Sequence, residues 1–169
     1  MNDVAQLLND MLKDGVITNY AIFGAVAQMR YTEAVVTMDM GVLVALPGKP
    51  GLDLLGAISR YCESRGGVPE GEAIRVGEWP VQFIPSVNSL TDEAMENADT
   101  DVLDGVPVRV VTPAYLAVMA LDVGRAKDMA RVLALLEQEA VTRREIRHLA
   151  EKHGLLAAWE KFENRFADE

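Results

Sequence analysis

The chain has 169 residues, half of them apolar, 6% aromatic, and a formal net charge of -10. That length suits one domain, or one domain with a small helical appendage, and leaves enough apolar surface for a sizeable core. The negative charge repels phosphate polymers, which weighs against broad nucleic-acid binding and against anionic membranes.

The charge is unevenly spread. Residues 1–111 hold 7 Lys/Arg against 16 Asp/Glu, whereas residues 112–169 hold 9 against 10. Cys62 is the single cysteine, so no intramolecular disulfide and no cysteine zinc cage can form. Inside an apolar-periodic segment it reads as a small core residue. The start of the chain lacks the basic and apolar regions of a signal peptide. No apolar run approaches the about 20 residues that cross a bilayer. The expectation is a cytoplasmic protein with no membrane partner.

Val4, Leu7, Leu8, Met11 and Leu12 recur at helical spacing, and Gly15 ends that helix. "NYAIFGAVAQM" reads as a short strand turning at Gly24 into a helix. "VVTMDMGVLVAL" reads as a second strand closed by Pro47 and Gly48. "GLDLLGAISRYCESRGG" predicts a helix with Leu52, Leu55, Ile58 and Cys62 on one stripe, stopped by Gly66 and Gly67. "AIRVG" and "PVQFIP" predict two short strands around a turn at Gly77–Trp79. "SLTDEAMENA" predicts a short acidic helix. The wider acidic run Asp92, Glu93, Glu96, Asp99, Asp101 and Asp104 reads as a solvated helix and loop, or as a docking surface for a basic partner.

Asp104-Gly105 between β-rich segments predicts a hairpin. Thr112-Pro113 supplies an N-cap and a first-turn proline for a helix carrying Leu116, Met119, Ala120 and Val123, which Gly124 ends. "AKDMARVLALLEQE" predicts the next helix. Thr142 with Glu145 forms a capping box for "RREIRHLAEKHG", and a last helix carries Leu156, Trp159, Phe162 and Phe166. The order gives an α/β (α+β) fold: a small mixed sheet covered by helices over residues 1–111, then a C-terminal helical bundle over 112–169, packed on the core.

One constellation carries chemistry. In "TMDMGVLV", Asp39 and Gly41 stand two apart, and alternate residues of a strand share a face. Downstream, "TPAYLAVMALDVGRAKDMARVLALL" joins two helices through Gly124, Arg125, Lys127 and Asp128. Together with the strand, turn and helix of "YAIFGAVAQM", these segments resemble the nucleotidyltransferase superfamily named for DNA polymerase β, over residues 19–136. The resemblance is closest to the small bacterial minimal nucleotidyltransferases and to the toxin partners of abortive-infection systems.

The resemblance implies a metal site and a nucleotide site. In the family a Gly-Gly or Gly-Ser turn lets backbone amides approach phosphates, and Asp-x-Asp with a third carboxylate holds magnesium for nucleotidyl transfer. Gly24, Ala25, Thr37, Arg125, Lys127 and Asp128 match the nucleotide-binding positions, and Asp39 the first metal ligand. Gly41 stands where the second carboxylate belongs, and Gln82 where the third is expected. Ala25 replaces a small turn residue, Val35 an arginine, Ala120 a lysine and Arg131 an aspartate. The departures imply a catalytically degenerate member that requires no cofactor and acts by binding a nucleotide, a protein partner or another copy of itself.

Two other readings stay open. An active enzyme would need Mg²⁺ and a nucleoside triphosphate, and would recruit another carboxylate such as Glu33 or Glu78. A structural or oligomerising protein would have a filled or apolar site. On residue spacing alone, Asp39 could be a polar strand-end residue, and Arg125 with Asp128 an i,i+3 pair at a helix junction. Arg131, Arg143, Arg144 and Arg147 read as a solvated face. His148 and His153, five apart, do not place two metal ligands on one helix face.

Overall fold

A computed structural model of the chain describes residues 1–49 and 51–167. It separates into two compact units. The first comprises Met1–Ala27 and Val36–Val111; the second comprises Gln28–Val35 and the chain from Thr112 onward.

The first unit contains a seven-stranded mixed sheet. The strands are β1 (Asn19–Phe23), β2 (Met40–Ala45), β3 (Val68–Glu70), β4 (Ala73–Val76), β5 (Trp79–Pro85), β6 (Asp99–Leu103) and β7 (Val106–Val110). Their order in the sheet is β3-β4-β5-β2-β1-β7-β6. β2 runs parallel to β5 and β1 parallel to β7, while the remaining neighbours are antiparallel. The central strands are apolar on both faces, as strands covered on both sides must be: Tyr20, Ala21, Ile22, Val42, Leu43 and Val44 are all buried.

Helix α1 (Asn2–Lys13) buries Val4, Leu8 and Met11. Asn9 ties it down twice. Its amide donates to the Pro107 carbonyl at 2.8 Å, and its oxygen accepts from the Tyr20 hydroxyl at 3.0 Å. Tyr20 is fully buried, and that burial pushes its hydroxyl pKa up. The short α2 (Gly24–Gln28) follows β1 directly, and α3 (Gly56–Ser64) and α4 (Ser89–Glu96) complete the helices that begin in this unit. Cys62 on α3 is a buried thiol, and desolvation raises its pKa to about 11, consistent with a core residue.

Four helices form the second unit: α5 (Pro113–Val123), α6 (Ala126–Glu137), α7 (Arg143–Lys152) and α8 (Leu156–Arg165). Leu116, Leu121, Val132, Leu135, Ile146, Trp159 and Phe162 are among its buried apolar side chains. The Trp159 and Phe162 rings stack with centroids 5.4 Å apart. Gly124 ends α5 at φ +74°, the left-handed cap that glycine adopts without a Cβ penalty.

The sequence-based expectations for these elements hold in type and miss at several edges. β2 begins at Met40, not at Val35. The Thr37 hydroxyl donates to the Asp39 carbonyl at 2.9 Å, a local bond that competes with ladder pairing, and Val36 and Met38 are exposed. α3 begins at Gly56, five residues late, and Leu52 is fully exposed, so its buried stripe reduces to Ile58 and Cys62. Strand β3 was not anticipated. It is three exposed residues including Pro69, too short and too irregular for any alternation to show. The acidic run does not end in a loop: Asp99–Leu103 is an edge strand, set by its antiparallel register with β7. Val123 lies at the exposed end of α5 rather than in its stripe.

The capping box of α7 forms in full. Thr142 donates its hydroxyl and backbone N–H to the Glu145 carboxylate at 2.6 and 2.8 Å, and accepts the Glu145 N–H at 3.2 Å. Those hydrogen bonds hold the Glu145 pKa below its ordinary value. Thr142→Ala is expected to cost about 1 kcal/mol in chemical denaturation at neutral pH. A depressed folded pKa stabilises above the unfolded value, so this difference shrinks as pH falls through the folded pKa of Glu145.

Candidate functional site

The first unit brings three of the predicted positions together around the centre of the sheet. Gly41 pairs with Phe23 across the antiparallel β1–β2 ladder and with Gln82 across the parallel β2–β5 ladder. Residues paired in register share a face. Asp39 lies one residue before β2, exposed, on the loop that the Thr37 hydroxyl organises.

Phe23 decides the space at position 41. A Cβ on Gly41 would lie 2.8 Å from Cε1 and 2.9 Å from Cζ of the Phe23 ring. The ring covers the bare backbone of the glycine, the arrangement that lets an aromatic side chain shield a glycine in a sheet. A carboxylate cannot stand there unless the ring swings away. Phe23 was read from sequence only as part of an apolar strand. The signal lies in the Phe23–Gly41 pair, which is visible only once the register is known.

Gln82 is half-buried, and its amide donates to the Glu72 carboxylate at 3.4 Å. Among the described residues, no group of three or more His, Cys, Asp or Glu side chains is placed to hold a metal ion. The donors at the expected positions are therefore one exposed carboxylate, an amide and a glycine under an aromatic ring. They do not fit a centre in which two hard cations need shared carboxylates.

Glu78 and Glu70 join Asp39 in lining a groove of about 600 Å³, with Thr37, Met38, Ala73, Arg75, Trp79 and Pro80. Arg75 neutralises Glu70 at 2.7 Å and donates to the Glu78 carbonyl at 3.1 Å. Glu33 belongs to the second unit. Gly24 adopts φ +71° at the β1–α2 turn, and nothing lies within 4 Å of a Cβ built on it, so the backbone there is open. Ala25 follows it, half-buried, on α2.

The remaining predicted positions lie in the second unit. Asp128 is 1% exposed. Its carboxylate accepts from Arg125 Nε at 2.7 Å and from the Arg125 backbone N–H at 3.2 Å, capping α6. Arg131 donates to the other carboxylate oxygen at 3.2 Å and to the Gln28 side-chain oxygen at 3.1 Å. Arg131 is thus half-buried in a network, not part of a solvated face as the sequence suggested; its i,i+3 spacing from Asp128 was the available signal. Burial pushes the Asp128 pKa up, but the hydrogen bonds and charge of Arg125, with the charge of Arg131, outweigh it and hold it below the ordinary value. Lys127 is exposed on the first turn of α6.

Three solved structures match nearly the whole chain. The solution structure of the antibiotic-resistance factor ANT(2'')-Ia superposes with a TM-score of 0.53, 16% identity, 96% of this chain and 99% of that one. An antigenic nucleotidyltransferase-like protein from Paracoccidioides brasiliensis superposes with a TM-score of 0.54, 16% identity, 93% of this chain and 90% of that one. The chain thus has a nucleotidyltransferase-like fold. A crystal structure of ANT(2'')-Ia with adenylyl-2''-tobramycin also shares this nucleotidyltransferase fold, with a TM-score of 0.50, 14% identity and 96% coverage of both chains. No protein-family model and no curated protein matches the sequence.

Two substitutions test the arrangement. Gly41→Asp is expected to destabilise by about 1–2 kcal/mol in urea unfolding, because it meets the Phe23 ring. Added to Phe23→Ala, the same change is expected to cost less, giving a double-mutant coupling near 1 kcal/mol. Asp128→Ala is expected to cost about 3 kcal/mol at neutral pH, since it leaves Arg131 buried without its carboxylate. The stabilisation by Asp128 is present above its unfolded pKa and is lost as pH falls through its depressed folded value. The wild type and the variant therefore converge under acid.

Proposed function

We propose that this protein is a catalytically degenerate nucleotidyltransferase-fold protein that works by binding and not by nucleotidyl transfer. The observation that carries the reading is the Phe23 ring at position 41, where the second metal carboxylate of an active member would stand. The amide at Gln82 points the same way, because a neutral oxygen is a weaker magnesium ligand than a carboxylate. Loss of metal-binding carboxylates removes several kcal/mol of transition-state stabilisation and so orders of magnitude in rate, on the order of tenfold for each 1.4 kcal/mol.

Binding in the style of toxin–antitoxin regulation is part of this proposal, by analogy with the small family members, and a cytoplasmic location goes with it. No described helix is long and apolar enough to cross a membrane. ANT(2'')-Ia has been captured with adenylyl-2''-tobramycin, which sets the competing reading: an active transferase that completes a metal site from the Asp39 groove with Glu78.

A thermal-shift titration separates the two. ATP, CTP, GTP and UTP are each added with and without Mg²⁺ or Mn²⁺, with Asp39→Ala as control. The degenerate reading expects no metal-dependent rise in melting temperature. A rise that needs both metal and nucleotide, and that Asp39→Ala abolishes, overturns it in favour of the enzyme.

A further inference from the structure

The groove beside Asp39 has a surface that a nucleotide site does not need. Four of its lining residues, Met38, Ala73, Trp79 and Pro80, are apolar. Met38 is 85% exposed, and Val36, two residues earlier on the same loop, is completely exposed. Large apolar side chains held outward beside a concave surface mark a place where another molecule is received. The charge of the groove states the chemistry of that molecule. Glu70 is neutralised by Arg75, but Asp39 and Glu78 have no ion pair among the described residues. They are two of the 16 acidic side chains that outnumber 7 basic ones in residues 1–111. The Trp79 indole lines the same groove, and an indole face attracts a guanidinium or ammonium.

Resting on the binding-fold reading above, we propose that this groove docks a partner protein through an extended segment that mixes Lys or Arg with apolar side chains. The cationic groups meet Asp39, Glu78 and the Trp79 ring. The apolar groups cover Met38 and Val36. A volume of about 600 Å³ holds only a few side chains, so a short segment suffices. A small polyamine satisfies the carboxylates but leaves the exposed loop uncovered, which is why the occupant is a peptide.

The test is fluorescence anisotropy with the full chain, no metal and no nucleotide, and a labelled peptide of alternating Lys and Leu. Binding is expected, weakening as salt is raised. Asp39→Asn/Glu78→Gln is expected to weaken it about tenfold, and Trp79→Leu about threefold, at unchanged melting temperature. Asp92→Asn/Asp99→Asn, which removes two charges elsewhere in the same unit, is expected to leave it intact. Equal loss in that control assigns the binding to net charge and overturns the site. Equal binding of a peptide with Ser in place of Leu, or displacement by spermidine at matching concentration, overturns the peptide in favour of a small amine. Self-association lost in the groove variant overturns it in favour of a second copy of this chain. No binding with a flat nucleotide titration rejects the groove alone. A metal-dependent nucleotide shift rejects the underlying reading whatever the peptide does.

Discussion

Everything at the centre of the first unit follows from the register of β1, β2 and β5. Antiparallel pairing sets Phe23 opposite Gly41, and parallel pairing sets Gln82 beside it. A slip of one residue would turn every side chain of β2 to the other face, and Val42, Leu43 and Val44, buried on both sides of the sheet, would no longer match the close-packed neighbours they fit. The apolar cost of that slip holds the register, and the register in turn holds the aromatic ring against the glycine. The state of the site is therefore a by-product of how the core packs. Placing a carboxylate at position 41 is a packing problem before it is a chemical one.

The second unit has a comparable anchor of a different kind. Asp128 is almost fully removed from water, and such a carboxylate persists only when donors surround it. Arg125 and Arg131 supply them, and the Gln28 side-chain oxygen accepts the Nε–H of Arg131. The same contacts cap α6 and link residue 28 to the helical part of the chain. Whatever these groups contribute to ligand binding, their geometry already accounts for a structural role. A loss of stability and a loss of binding must therefore be measured separately in any variant there.

The fold survives with 14–16% identity to its structural neighbours because burial pattern, not residue identity, determines the sheet and the helices. A site is less forgiving. Its chemistry depends on a handful of side chains, and replacing a carboxylate by glycine or an amide leaves the scaffold whole while altering what it can do. A binding role would use the same scaffold with different surfaces, and the loop at 36–39 holds Val36 and Met38 outward beside Asp39.

Much of this was legible in the chain itself. The hairpin at Asp104-Gly105, the capping box at Thr142 and Glu145, the burial of Cys62 and the junction of Arg125 with Asp128 are local signals, carried by residues a few positions apart. The family resemblance rested on such local motifs, and the fold agrees with it. The tertiary structure alone decided what depends on distant residues meeting. It set Phe23 over Gly41, withdrew Arg131 from solvent onto Gln28, and gathered Asp39, Glu78 and Trp79 into one groove. Side-chain periodicity reports which face a residue takes. It does not report which side chain, many positions away, occupies the space in front of it.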